Sequence, residues 1–229
     1  NLLNAMRTAD VKRFIFSSTA ATFGAPQYTP IDEVHPQDPI NPYGRSKLMI
    51  EQVLEDYDRA YGLKSVCLRY FNAAGADPEG QLGERHEPET HLIPLVLQAA
   101  SGRRPHIGVF GRDYDTPDGT CIRDYIHVDD LADAHVKALD YLSTGGKSLA
   151  CNVGTGKGTS VLDVLNVAEQ VSGRKVPYNI VGRRSGDPVS VYADPTLIRA
   201  LLGWKATRDV RDIISSAWNW HERDAAAKR

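Results

Sequence analysis

Two short runs early in the chain, RFIFSS at 13–18 and SVCLRYF at 65–71, are apolar without polar alternation, and a stretch of helical period separates them. Strands that read this way are covered on both faces, the usual condition of a parallel sheet. A parallel pair needs a crossover, and the intervening residues supply one as a helix expected over 43–61. Pro39 and Pro42 precede that helix, while Leu48, Val53 and Leu54 fall near helical spacing. The same strand-then-helix grammar returns in DYIHV followed by the periodic Val128, Leu131, His135, Ala138, Leu139 and Leu142. It returns again in SLACNVG, followed by a helix from Ser160 whose inner face is Val161, Leu162, Leu165, Ala168 and Val171. An open α/β sheet with helices on both faces is the architecture that accommodates this order.

Residues 76–118 differ in texture: Gly, Pro, Asp and Glu crowd around one helical stretch, His91 to Ser101, and one short strand, IGVF. They read as an insertion or a smaller second subdomain. The tail holds a strand PYNIV, a loop GRRSGD, and helices near 195–202 and 209–224. Asp163, three residues after Ser160, suggests a capping box. Leu2, Leu3 and Met6 share one side of a helix end at residues 1–9, so the chain is expected to begin in mid-fold.

The composition sets bounds on function. A net charge of -2 over 229 residues offers no basic field for nucleic acid or an acidic membrane surface. The longest apolar run, LIPLVLQAA, is interrupted by Pro94 and is far too short to span a bilayer. Cys67, Cys121 and Cys151 have neither even count nor ligand spacing, which fits a reducing, cytoplasmic setting.

Chemistry concentrates in two segments. FSSTAATFG places Ser17, Ser18 and Thr19 where a parallel strand ends, the edge at which open α/β sheets bind ligands. NPYGRSK sets Tyr43 four residues before Lys47, on one helix face. A free phenol, with a pKa near 10, is a poor base at neutral pH, but a neighbouring ammonium favours phenolate. A strand-end hydroxyl followed by Tyr-x-x-x-Lys at a helix start is the Ser/Thr, Tyr, Lys constellation of sugar-nucleotide-modifying short-chain dehydrogenases.

With LRYFNAAGA, HLIPLVLQ, VFGRDYDTPDGTCIRDYIHVDDLADAH, NVGTGKGTSVLDV and RRSGD added, the chain resembles the UDP-hexose 4-epimerases of the extended short-chain dehydrogenase/reductase family through nearly its whole length. The resemblance implies a partial doubly wound, Rossmann-like sheet with a smaller α/β substrate-binding subdomain. Residues 1–75 and 119–150 would form the remaining part of an NAD-binding domain, and 76–118 with 151–229 a UDP-sugar-binding subdomain. It implies NAD as cofactor, a UDP-sugar substrate and a homodimer.

By position, Tyr43 matches the family's base and Lys47 the partner that also holds the nicotinamide ribose, while Thr19 stands where most relatives carry Ser. Tyr70 and Phe71 match residues beside the nicotinamide, and Asn72 one that touches the sugar diphosphate. His91 and Leu92 replace a common Asn-Leu. Val109 and Phe110 match the uracil-binding strand, Arg123 and Arg184 the diphosphate clamp, and Asp187 a carboxylate on the uridine ribose. Val191 occupies a position that is a bulky Tyr or a small residue in the family, on the C2 side of the sugar.

The family's Gly-rich pyrophosphate fingerprint is absent from these residues. GTGKG at 154–158 lies too late in the chain, lacks a P-loop's ending, and reads as a strand-to-helix turn. The chain thus resembles the later part of such an enzyme, lacking roughly the first mononucleotide-binding half, and by itself is expected to leave NAD unanchored. A dehydratase of the same family is disfavoured, because Ala20 and Ala21 follow Thr19 where those enzymes place Asp-Glu. A non-catalytic nucleotide-sugar surface is the other alternative. His127, Asp129, Asp130, Asp133 and His135 are read as structural rather than metal-binding, His135 being on the apolar face.

Overall fold

The computed structural model describes residues 1–227. Helix α1 (Leu2–Thr8) leads into β1 (Arg13–Thr19), and α2 (Pro42–Tyr61) crosses to β2 (Lys64–Tyr70). The two strands pair in parallel, Arg13 opposite Lys64 through Thr19 opposite Tyr70. On its other edge β2 takes β7 (Leu149–Val153), also parallel, so the order is β1-β2-β7. Period-two alternation divides the sheet's side chains: Phe14, Phe16 and Cys67 pack with Leu54 and Met6 beneath α1 and α2. Ile15, Val66 and Leu68 pack on the opposite face under α4 (Val128–Ser143) and α6 (Thr196–Leu202). Among the described residues no strand pairs with the other edge of β1, which is only partly covered, with Phe14, Ile15 and Ser17 half-buried.

A second core lies between α3 (Leu92–Ala100), α5 (Val161–Ser172) and α7 (Val210–Ala227), under β3 (Asn72–Ala74), β4 (Ile107–Phe110) and β6 (Tyr125–His127). β3 pairs with β6, and β4 with β9 (Tyr178–Val181), each in parallel. β5 (Ile122–Arg123) is flanked by β10 (Ser190–Val191) and the antiparallel β8 (Thr159–Ser160).

Several expectations shift in detail. Strand β7 crosses the expected division at 150, and Ile198 and Trp204 pack with β7 and α4, so residues 151–153 and the α6 region belong to the first core. α2 starts one residue early because Pro42 occupies N1, where its missing N–H costs nothing, while the Asn41 side chain accepts from Gly44 N at 2.8 Å. Within α4 the buried stripe is Asp130, Ala134, Ala138 and Leu142, whereas Leu139 turns out to solvent. Leu2 is likewise exposed, and Leu3 and Met6 carry the α1 contact. Ser160 caps α5 by accepting from Asp163 N and donates its own proton to Asp118 Oδ2.

Two buried aspartates tie the layers together. The Asp130 carboxylate accepts from Thr207 N and Oγ1, Arg208 N and Arg208 Nη1, while its carbonyl accepts from the fully buried Trp204 indole at 2.9 Å. Burial opposes its ionisation, but the donors on it prevail and hold the carboxyl below the usual range. Asp124 accepts from Thr155 N and Oγ1, Gly156 N and Ala193 N, which explains GTGKG as a turn wrapped around a carboxylate. Here burial prevails and the carboxyl is pushed up despite those bonds.

Candidate active site

The carboxyl ends of β1 and β2, the start of α2 and the second unit enclose a cleft of about 1120 Å³. Thr19, Tyr43, Tyr70 and Phe71 line one end; His91, Leu92, Phe110, Arg123, Arg184 and Asp187 line the other, with Asn72 between.

The three strand-end hydroxyls separate by geometry. Ser18 is fully buried and donates to Glu51 Oε1. Ser17 lies 2.9 Å from His135 Nε2. Since His135 Nδ1 lies 2.8 Å from the Leu131 carbonyl, which can only accept, Nδ1 carries the proton. Nε2 then accepts from Ser17, whose one proton is spent there. That leaves Thr19 on the cleft wall, its Oγ1 accepting from Ala21 N at 3.1 Å with its proton still to give. Lys47 donates to Ser17 O at 2.9 Å and its ammonium lies 5.7 Å from the Tyr43 ring centre, so two of its three N–H donors remain beyond that bond. Among the described residues no hydrogen bond engages the Tyr43 hydroxyl, and the residue is 53% exposed to the cleft side.

Gly44 explains how the helix reaches the strand end. A Cβ on it would stand 2.3 Å from the Ala21 carbonyl oxygen, so only glycine lets α2 close on the turn (Ala20–Phe23) that follows Thr19. Sequence reasoning read Tyr43 and Lys47 but passed over this glycine between them. It also passed over Asp124, whose carbonyl accepts from Asn72 N and Nδ2 and so sets that side chain at the cleft.

At the far end Arg123 is anchored: Nη1 donates to Ile122 O and Pro188 O, and Nη2 lies 3.7 Å from Asp187. Arg184 is exposed and stacks over the Phe110 ring at 4.3 Å. Three side chains expected in the site are not on its wall: Lys47, which sits behind Tyr43 and reaches Ser17 O, Val109 and Val191. Val109 is 1% exposed in the second core, because alternation along β4 turns Gly108 and Phe110 to the cleft instead. Val191, like Phe71, packs half-buried against the cluster of Ala20, Phe23 and Ile31.

His91 does line the cleft, within a cluster in which Glu84, His86, Glu89 and His91 bring ligand-type atoms within 4.8 Å of one another. Glu89 Oε1 there already accepts from Thr90 N, His91 N and His91 Nδ1, so hydrogen bonding accounts for the convergence. His127, Asp130 and His135 are each engaged by protein partners, and Asp129 pairs with Arg208 at 3.0 Å. The cysteines are buried and free, with the Cys67 thiol pushed up to about 12 by burial.

Residues 1–154 match the model of the NAD dependent epimerase/dehydratase family. The chain belongs to that family. It is 56% identical over 222 residues to a UDP-glucose 4-epimerase of Rhizobium leguminosarum bv. trifolii, covering 97% of this chain and 68% of that protein. The crystal structure of UDP-glucose 4-epimerase from Brucella ovis in complex with NAD superposes with a TM-score of 0.93 at 52% identity, over 95% of this chain and 67% of that one. The UDP-Glc/GlcNAc 4-epimerase of Campylobacter jejuni gives 0.83 at 46% identity, over 97% and 68%. The chain therefore spans about two thirds of the length of the relatives it matches.

Proposed function

We propose that the cleft is the centre of NAD-dependent epimerisation at C4 of UDP-hexoses. The observation that supports it most is the meeting, in one cleft, of a Tyr43 hydroxyl left open beside Lys47 and Thr19 with two arginines and a carboxylate at the opposite end. The residues present fit the nicotinamide end of the cofactor: Lys47 has donors left at the carboxyl end of β1, and Tyr70 and Phe71 wall the space beside them. NAD supplies the acceptor, and then the donor, of the C4 hydride.

The chain's own residues do the rest. Tyr43 removes the proton from the 4-hydroxyl and later returns it, Thr19 holds that oxygen by a hydrogen bond, and Lys47 keeps positive charge beside the phenol. Arg123 and Arg184 hold the diphosphate, for which the guanidinium fork is suited, and Asp187 accepts from the ribose. Anchoring at the diphosphate leaves the hexose free to turn in a wide cleft and present its other face. Pairing through the family's dimer and a cytoplasmic location belong to the same reading.

Acceptance of N-acetylated sugars is part of the proposal, supported by the small Val191 packed in the same cluster as Phe71 and by the similarity to the UDP-Glc/GlcNAc 4-epimerase of Campylobacter jejuni. The direct test is Tyr43→Phe in the full-length protein with NAD. The ring stays and only the hydroxyl is lost, so turnover should fall ~10²–10⁴-fold while UDP affinity is unchanged. Turnover within threefold of the parent would remove Tyr43 from the mechanism.

A further inference from the structure

Tyr43, Lys47 and Glu51 follow one another at intervals of four along α2, a single stripe turned toward the sheet. Lys47 reaches the backbone of Ser17 and Glu51 the side chain of Ser18, the two residues before Thr19. Ser18 stands directly opposite Arg69 in the β1-β2 register, and Arg69 is followed by Tyr70 and Phe71 on the cleft wall. Glu51 closes this arrangement. Its carboxylate takes Ser18 Oγ on Oε1 and the Arg69 fork on both oxygens, with Nη2 to Oε2 at 2.6 Å and Nε at 3.1 and 3.2 Å. Gln37 Nε2 adds a longer contact at 3.3 Å. Arg69 in turn lies 5.3 Å over the Phe23 ring, at the end of the turn that Gly44 lets α2 approach. Both ion-pair side chains are 8% exposed.

We infer that Glu51 is a positioning residue: through Ser18 and Arg69 it sets the distance and angle between the helix that carries Tyr43 and the strand ends that carry Thr19, Tyr70 and Phe71. The inference rests on the proposed role of Tyr43 and goes one step beyond it. Stability alone is a poor reason for the pair, since apolar side chains of similar volume serve a core as well or better than a buried ion pair. An apolar contact lets a helix slide and roll, whereas a bidentate fork plus a hydroxyl fixes it in direction as well as distance. The reaction is sensitive to that, because a misplacement of about 1 Å between reacting groups can cost on the order of 10²-fold in rate. The nucleotide end of the cleft is built from Arg123, Arg184 and Asp187 on other elements, so its affinity should not follow α2.

The test compares Glu51→Gln, the double variant Glu51→Met/Arg69→Met and Tyr43→Phe in the full-length protein with NAD, each by thermal melting and by kcat and KM for UDP-galactose. Glu51→Gln should lower kcat about 10–100-fold with KM within twofold. The double variant should recover the parent's melting temperature while kcat stays low. Recovery of both stability and kcat by the double variant, or a Glu51→Gln enzyme that is destabilised but turns over normally when folded, overturns the inference. If Glu51→Gln does not fold, the double variant alone decides. A Tyr43→Phe enzyme that retains turnover would instead defeat the reading of the site, a result distinguishable from either outcome at Glu51.

Discussion

Arg184→Ala separates the nucleotide end of the cleft from the chemical end, and its size can be worked from the contacts. Arg184 is exposed and packs by its guanidinium over Phe110, with none of its donors engaged by the anchors that hold Arg123. A hydrogen bond to a charged group contributes about 1.5–3 kcal/mol. Exposure and salt screening place this one at the low end, about 1.5–2 kcal/mol. At about 1.4 kcal/mol per decade this becomes a roughly 10–30-fold rise in the Kd for UDP. Stacking on the ring, about 0.5–1 kcal/mol at an exposed site, holds the fork in place before the ligand arrives. Arg184→Lys therefore keeps the charge but loses both the fork and the fit to the ring, and should recover only part of the affinity. Isothermal titration of UDP into each variant measures the effect directly, with melting curves as the control for folding. Raising the salt to about 0.5 M should shrink the gap, because the screening length falls well below its value of about 8 Å at physiological salt. An Arg184→Ala protein that melts normally and binds UDP within twofold of the parent would show that Arg184 does not hold the diphosphate.

Gly44→Ala should lower turnover and stability together, since its Cβ would stand 2.3 Å from the Ala21 carbonyl and force α2 off the turn after Thr19; normal kcat in a folded variant would refute the close-approach argument. Asp130 has a depressed pKa, so its contribution to stability is complete above the unfolded carboxylate range near 3.8 and is lost as pH falls through the lower folded value. Asp130→Ala, which strands the donors of Thr207 and Arg208, should cost about 3–5 kcal/mol at neutral pH and flatten the acid limb of a melting-temperature profile; an unchanged limb would assign it to other groups. Val191→Tyr should crowd the cluster with Phe23 and Ile31 and press Phe71 toward the cleft, lowering kcat/KM for UDP-GlcNAc more than for UDP-glucose. Equal loss for both sugars would limit Val191 to packing.

Local rules made much of this protein legible in one dimension. Apolar runs without alternation announced β1, β2 and β7, Pro39 and Pro42 announced the start of α2, and helical spacing put Tyr43 and Lys47 on one face. Those signals are carried by residues a few positions apart, where backbone sterics and periodicity act. Which of three successive hydroxyls faces the cleft was beyond their reach. Ser17 and Ser18 are taken by His135 and Glu51, partners 118 and 33 residues away, and only their capture leaves Thr19 to the cleft. Strand alternation turned Val109 inward and Phe110 outward, and packing across layers set Val191 against Ala20, Phe23 and Ile31 rather than on the wall. No local signal singled out Glu51 or Arg69; a parallel register that sets Ser18 opposite Arg69 made them one buried cluster. Sequence thus determined the elements and the residue types that carry chemistry, while tertiary structure decided which of them face one another, because burial and hydrogen-bond competition are settled between segments that are distant along the chain.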